Sequence, residues 1–236
     1  QFFKSHEVVS NTNPVQEIFI SSGTTGMITS KHLVTDVALY EESFRKGFSE
    51  FYGTIEDYVV LALLPSYLER EGSSLIYMVK DLIELSNQPE SGFYLHSHDE
   101  LIAKLIALDQ AGQNVILIGV TFVLLDLIEQ HQFQLQHTII METGGMKGKR
   151  KEMIREELHE KLCKGFGVSA IHSEYGMTEL LSQAYSLGNG VFECPSWIQI
   201  LIRDTEDALT YIKDGKTGGI NVIDLANINS CSFIAT

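Results

Sequence analysis

Six consecutive apolar residues run from Val59 to Leu64 and stop at Pro65, and a second uninterrupted run begins at Val115. A strand with no polar face has no side to turn to water. Runs of this kind suit strands buried on both faces, as in parallel sheets covered by helices. The intervening segments fit that reading. Between Ser73 and Leu85, apolar residues fall at 75, 76, 79, 82, 83 and 85, which is a helical period. Further helices are predicted at about Val34–Phe51, Ser97–Ala111, Thr121–His131 and Lys149–Lys164, the last with Ile154, Leu158 and Leu162 on one stripe. Ile18–Ile20, Val115–Ile118 and Ile139–Met141 read as strands, and Val168–Ile171 leads into a polar turn at His172–Gly176. From Trp197 the pattern changes. Ile198–Ile202, Gly219–Leu225 and Cys231–Ala235 read as strands separated by turns. The expected fold class is α/β, with a parallel-sheet core and flanking helices followed by a β-rich subdomain. Residues 1–190 would form the core and 191–236 the subdomain, with the boundary near Gly188–Ser196.

Local signals refine these bounds. Ser97-His98-Asp99-Glu100 has the form of a capping box. Gly112 suits the position after the helix that follows it. Thr121 is placed to cap the next helix, and Gly165 and Gly167 to end the one after.

Charge and composition exclude several functions. Lys and Arg number 17 against 31 Asp and Glu, a net charge of −14. Such a chain cannot neutralise phosphates broadly, so nonspecific nucleic-acid binding and attraction to anionic membranes are both disfavoured. No apolar run approaches the ~20 residues that span a bilayer. Three cysteines, an odd number in a chain of 236 residues, make no disulfide framework and suggest reduced thiols in the cytoplasm. Neither end looks natural: Gln1-Phe2-Phe3-Lys4 lacks an initiator Met and a signal peptide, and Ser232–Thr236 reads as a strand that stops without a turn. Both ends are expected to have been cut from a longer protein.

The chemistry concentrates in two motifs. Ser21-Ser22-Gly23-Thr24-Thr25-Gly26 directly follows the first short strand, and Lys31 lies a few residues on. Glycines let backbone amides converge on an anion, and hydroxyls add donors without bulk. The spacing is neither that of a Walker A loop nor that of a dinucleotide loop. Taken alone, the hexad could equally be a strand-to-helix turn of small residues. About 150 residues later comes Tyr175-Gly176-Met177-Thr178-Glu179. A Thr-Glu pair by itself is commonly a helix cap with a favourable charge.

Together, in this order and at this spacing, the two motifs resemble those of the adenylate-forming enzymes, which include acyl-CoA synthetases, peptide-synthetase adenylation domains and luciferases. Gly144-Gly145-Met146 is similar to that family's adenine-binding turn. Gly119-Val120-Thr121-Phe122 resembles the segment opening the helix that lines the acyl pocket. Leu64-Pro65-Ser66-Tyr67 and Gly215-Lys216-Thr217-Gly218-Gly219 are similar to further family elements, so the likeness covers nearly the whole chain. Within the superfamily the chain looks most like the phenylacetate-CoA ligase branch, and within that branch like the bacterial acyl-protein synthetases. Features carrying this are the Ser-Ser opening of the loop, the Thr-Gly-Gly-Met-Lys-Gly turn and the N-terminal Phe-Phe-Lys-Ser.

The resemblance implies a reaction and a cast of residues. A carboxylic acid, fatty or aromatic, would be activated by ATP to an acyl adenylate, with release of pyrophosphate, and then passed to a thiol. Thr24, Thr25 and the amides of Gly23 and Gly26 would hold phosphates beside Ser22. Lys31 would assist, although Ile28-Thr29-Ser30-Lys31 replaces the family's Pro-Lys ending. Tyr175 and Gly176 would pack on adenine in a slot shaped by Gly144, Gly145 and Met146. Thr178 would donate to the α-phosphate, and Glu179 would hold Mg2+. The acceptor would be a protein cysteine or, in the acyl-CoA or aryl-CoA ligase alternative, CoA. Partners would include an acyl-reductase or acyl-carrier protein. The ribose-binding aspartate and the lid domain with its lysine would lie beyond Thr236, so the chain by itself could be inactive. A nucleotide-binding module without turnover is the remaining alternative.

Other clusters read more simply. His96, His98 and Asp99 lack a partner at metal-ligand spacing. Cys163, Cys194 and Cys231 read as buried thiols, although Cys194, before Pro195, could serve as an acyl acceptor. The basic run Lys147–Arg155 reads as a solvated helix face, or as a surface for CoA phosphates or a phosphopantetheine-bearing partner. There is no G-x-S-x-G elbow, which disfavours an α/β-hydrolase.

Overall fold

The computed structural model describes residues 2–22, 28–64, 72–94, 96–144, 150, 153–207, 209–212 and 215–235. Its elements, in order, are α1 (Phe2–Ser5), β1 (Glu17–Ile20), β2 (Lys31–Val34), α2 (Val37–Tyr52), β3 (Val59–Leu63), α3 (Ser74–Ser86), β4 (Gly92–Phe93), α4 (His98–Gln110), β5 (Val115–Val120), α5 (Thr121–Gln130), β6 (Thr138–Thr143), α6 (Arg155–Phe166), β7 (His172–Tyr175), β8 (Ala184–Ser186), β9 (Ile198–Arg203), β10 (Gly219–Asp224) and β11 (Phe233–Ala235).

The apolar runs become the centre of a six-stranded sheet ordered β4-β3-β5-β6-β7-β8. Every residue of β3 and β5 is buried. β3, β5, β6 and β7 are parallel, in registers such as Leu61 beside Leu117 and Leu117 beside Ile140. β8 closes one edge antiparallel. β4 lies on one side of β3 and β5 on the other, so the direction of winding reverses between β3 and β5. In open α/β sheets, crevices form at the carboxyl ends of the strands near such a reversal. β9, β10 and β11 form a separate antiparallel sheet, with β10 in the middle. β1 and β2 form a hairpin that pairs Ile20 with Lys31. The α/β class with a second, antiparallel sheet is as expected from sequence.

Several local expectations need correction. The segment after Lys31 is a strand first: β2 ends at Val34, and α2 starts only after Asp36, whose carboxylate caps the Leu39 amide at 3.3 Å. His172–Tyr175 is a strand rather than a polar turn, because its ladder with β6 satisfies the backbone whatever the side chains are. Ser97 precedes α4 but makes no side-chain capping bond. Thr121 does not cap α5; Val120 holds that position, and the Thr121 hydroxyl is drawn away by Glu142 and the Gly144 carbonyl. α6 begins at Arg155, and Ile154 is exposed instead of joining the stripe of Leu158 and Leu162.

Gly165 lies inside α6 rather than ending it, while Gly167 terminates the helix in the left-handed conformation at φ +70°. A Cβ at Gly165 would stand 2.6–2.7 Å from three carbon atoms of Ile128 on α5. The missing side chain therefore sets how closely the two helices approach.

A buried polar network joins the two sheets. The Trp197 indole donates to Ser43 on α2 and to Ser182, each at 3.1 Å. Ser182 donates to Asp224 at the end of β10 at 2.7 Å. Asp224 has no solvent exposure and also accepts from the amides of Leu181 and Ala226. Burial pushes its carboxyl up from the usual aspartate range, against the pull of those hydrogen bonds.

Gly165→Ala should cost about 1–3 kcal/mol, the usual penalty for overpacking a close contact. Urea unfolding checks it: the midpoint should fall with the slope unchanged.

Candidate functional site

A cavity of about 320 Å3 opens at the carboxyl edge of the sheet, between the ends of β6 and β7, the start of α3 and the β1–β2 hairpin. Its wall brings together Ser22, Gly144, Tyr175, Gly176 and Thr178, which are far apart in the chain. Strand geometry explains the convergence. Thr143 is paired with Glu174 in the β6–β7 ladder, so the chain leaves both strands at the same level and the two turns emerge side by side. The hairpin brings the third segment. Ile20 and Ser22 reach the wall from β1, and the base of the loop is closed by Ser21 N–H donating to the Ser30 carbonyl at 3.0 Å and Ser30 N–H donating to the Ser21 hydroxyl at 2.8 Å.

Two expected residues stand outside the wall. Lys31 is exposed on β2. Glu179 is half-buried, with its backbone carbonyl taken by Asn227 at 2.6 Å. Gly23, Thr24, Thr25, Gly26, Gly145 and Met146 lie outside the described residues, as do Pro65, Ser66 and Tyr67. Tyr175 is 36% exposed, leaving ring surface open to a planar partner. Its edge contact with Phe192 has a centroid separation of 6.1 Å, and its hydroxyl donates to Met177 Sδ. Burial raises its phenol above the ordinary range.

The structure adds wall residues that no motif announced. Glu174 is buried beside Tyr175 and accepts from the Thr143 hydroxyl at 2.6 Å. Its Oε1 would lie 2.7 Å from a Cβ at Gly176, so glycine there leaves room for the carboxylate. Gln183 is 7% exposed and lines the cavity, and its Oε1 is a buried acceptor with no protein partner. The buried Tyr40 hydroxyl donates to the Ser74 carbonyl at 2.9 Å, at the start of α3, where Ser73 caps the Ile76 amide. Ile20, Leu75 and Met78 make part of the wall apolar. Nothing in the sequence marks Glu174 or Gln183: β7 buries Ser173 and Glu174 in succession, without the alternation that would reveal a strand.

A second buried carboxylate lies one position before the wall residue Thr143. Glu142, on β6, accepts from Thr121 at 2.9 Å, Ser173 at 2.7 Å and Arg155 at 3.0 Å, with His159 Nε2 at 3.7 Å. Burial would raise its pKa, but these partners outweigh it and hold the carboxyl below its usual range. Cys163 and Cys194, by contrast, are pushed up by burial. Their thiols therefore gain no thiolate character at neutral pH.

Donor and acceptor chemistry can be tested against a nucleotide and a divalent cation. Glycine at 176 opens the wall, Gln183 offers an acceptor without a partner, and Glu174 provides a hard carboxylate oxygen of the kind magnesium accepts. The residues present fit such a guest. The described residues contain no cluster of three or more His, Cys, Asp or Glu that could hold a metal unaided. A cation here would have to share its ligation with the guest's own oxygens, as magnesium commonly does with phosphates.

Because Glu142 is held below its usual range, its contribution to stability is fully present above the unfolded glutamate pKa of ~4.3 and is lost as pH falls through the lower folded value. Glu142→Gln should therefore weaken the fold at pH 7 and flatten the acid-side decline. Urea midpoints measured between pH 7 and 3 check both.

No family model matches this chain, and sequence comparison with curated proteins finds no match. Solved structures do match in shape. The ATP-bound RpMatB–BxBclM chimera B3 superposes with a TM-score of 0.62 at 16% identity, over 87% of this chain and 38% of that one. Apo MatB from Rhodopseudomonas palustris gives 0.60 at 15% identity, with the same coverages. FadD1 from Archaeoglobus fulgidus, a long-chain-fatty-acid-CoA ligase, gives 0.60 at 14% identity, over 92% of this chain and 43% of that one. The chain thus spans about two-fifths of the length of the structures it matches. Over most of its own length it has the mixed α/β fold of these three structures.

Proposed function

We propose that the cavity binds ATP and a carboxylic acid and activates the acid as an acyl adenylate for transfer to a thiol. The observation that carries this reading is the meeting of three chain segments, at Ser22, Gly144 and Tyr175–Thr178, around one cavity. Those are the segments whose motifs resemble the adenylate-forming enzymes. The fold shared with the ATP-bound chimera and with the long-chain-fatty-acid-CoA ligase FadD1 supports it.

In this reading the acid's carboxylate oxygen attacks the α-phosphorus, and the bond from that phosphorus to pyrophosphate breaks. The enzyme's task is positioning and charge stabilisation. Tyr175 offers its ring to the base, and Gly144 and Gly176 keep the slot open. The Gln183 carbonyl accepts from a donor on the guest. Thr178 hydrogen-bonds an α-phosphate oxygen. The Gly23–Gly26 loop, with Ser22 at its mouth and Lys31 beyond it, holds the departing phosphates. Bound Mg2+ would neutralise charge on the phosphate oxygens, held by Glu179 or by Glu174, the carboxylate of the wall. The apolar wall of Ile20, Leu75 and Met78 favours a fatty or aromatic acid. The raised thiols of Cys163 and Cys194 argue against either as the acyl acceptor, and favour a thiol brought to the site, on CoA or on a partner protein.

Carboxylate-dependent exchange between ATP and labelled pyrophosphate tests this, run on the intact parent protein with a panel of fatty and aromatic acids. Exchange should require an acid and fall about 100-fold or more in Thr178→Val, the scale seen when one transition-state donor is removed, and Glu179→Gln should lower it by removing a carboxylate ligand of the cation. ATP binding without acid-dependent exchange would overturn the activity and leave a nucleotide-binding module.

A further inference from the structure

The turn that carries Thr178 and Glu179 belongs to no helix or strand. Its buried backbone groups still need partners, and side chains from distant parts of the chain supply them. The Thr178 carbonyl meets His32 Nδ1 at 2.9 Å. The Glu179 carbonyl accepts from Asn227 Nδ2 at 2.6 Å. The Leu181 amide donates to Asn227 Oδ1 at 2.9 Å and to Asp224 Oδ2 at 3.1 Å.

His32 is the member of this set that reaches furthest. It lies on β2, opposite Phe19 of β1, in the hairpin that brings Ile20 and Ser22 to the cavity. It has no solvent exposure. Its Nε2 lies 2.8 Å from the hydroxyl of Ser230, in the turn between β10 and β11. The Phe3 ring packs against it edge-on at 5.1 Å. A carbonyl can only accept, so Nδ1 carries the proton. In the neutral ring Nε2 then accepts from Ser230. Burial lowers the pKa and keeps the ring neutral, although the Thr178 carbonyl and the Glu179 charge pull the other way. One imidazole thus ties the glycine-rich hairpin, the Thr-Glu turn and the β10–β11 turn together.

We propose that His32 is a positioning residue of the site. It touches neither nucleotide nor acid. It fixes the height of the Thr178 backbone against the hairpin, so that Thr178 and Ser22 face one guest together. A rigid second layer of this kind is what holds reacting groups within a fraction of an ångström. The consequence for ligand binding rests on the nucleotide reading above; the consequence for the turn does not.

Two variants separate positioning from simple stability. His32→Leu removes both hydrogen bonds at similar volume. His32→Asn can place an amide N–H near the position of Nδ1 while giving up Ser230. Hydrogen exchange over residues 177–183, measured without ligand, reads the turn directly. Exchange should speed up in His32→Leu and return toward the parent in His32→Asn. Affinity for ATP, measured by calorimetry, should fall roughly tenfold in His32→Leu, the size expected for a lost buried hydrogen bond, and recover to within about threefold in His32→Asn. Unchanged exchange over 177–183 in His32→Leu would overturn the proposal. So would ATP affinity equal to the parent in both variants, whatever their melting temperatures. A parent chain that binds no ATP would overturn the nucleotide reading instead, and the exchange measurement would still decide the role of His32.

Discussion

Burial of β3 and β5, every residue of both strands included, is the constraint on which the rest depends. Backbone groups removed from water must be paired, and side by side in a parallel sheet they can be paired only in register. Register then dictates where each strand ends. With Gly119 level with Glu142 and Thr143 level with Glu174, the chain leaves β5, β6 and β7 along one edge. On that edge the cavity opens where the ends of β6 and β7 meet the start of α3 and the β1–β2 hairpin. Apolar packing places the site without contributing a reactive group.

Where the sheet ends, charged and polar side chains take over. Glu142 gathers Thr121, Ser173 and Arg155 near the end of β6. Asp224 and Asn227 hold the segment around Leu181, and His32 holds Thr178. A buried carboxylate without partners would be costly, and each of these has several. They explain how a turn with no helix or strand of its own can stay fixed beside a cavity. They also make the second sheet part of the site: residues at the end of β10 decide where the Thr-Glu turn lies.

Much of the fold was legible from residue order. Runs with no polar face marked the buried strands, and a helical period marked α3 across nearly its observed length. Short or polar strands were not legible. β2, with Lys31 and His32, and β7, with His172, Ser173 and Glu174, are strands because neighbouring backbones pair with them, which side-chain pattern does not record. The N-terminal bounds of α5 and α6 moved for a related reason. Thr121 had a buried carboxylate to bond and Ile154 had no core to enter, and neither fact is local.

The site divides along the same line. By itself the sequence determined which segments are glycine-rich, hydroxyl-rich or acidic, and that several of them resemble one family's motifs, because backbone freedom and donor chemistry belong to residue types. Tertiary structure alone decided that Ser22, Gly144 and Tyr175–Thr178 share one wall while Lys31 and Glu179 stand beside it. It alone brought in Glu174, Gln183 and His32. A side chain's place in a site depends on strand register and on partners contributed from elsewhere in the chain, here as many as 198 residues apart between His32 and Ser230. Composition and spacing along the chain carry no such distances.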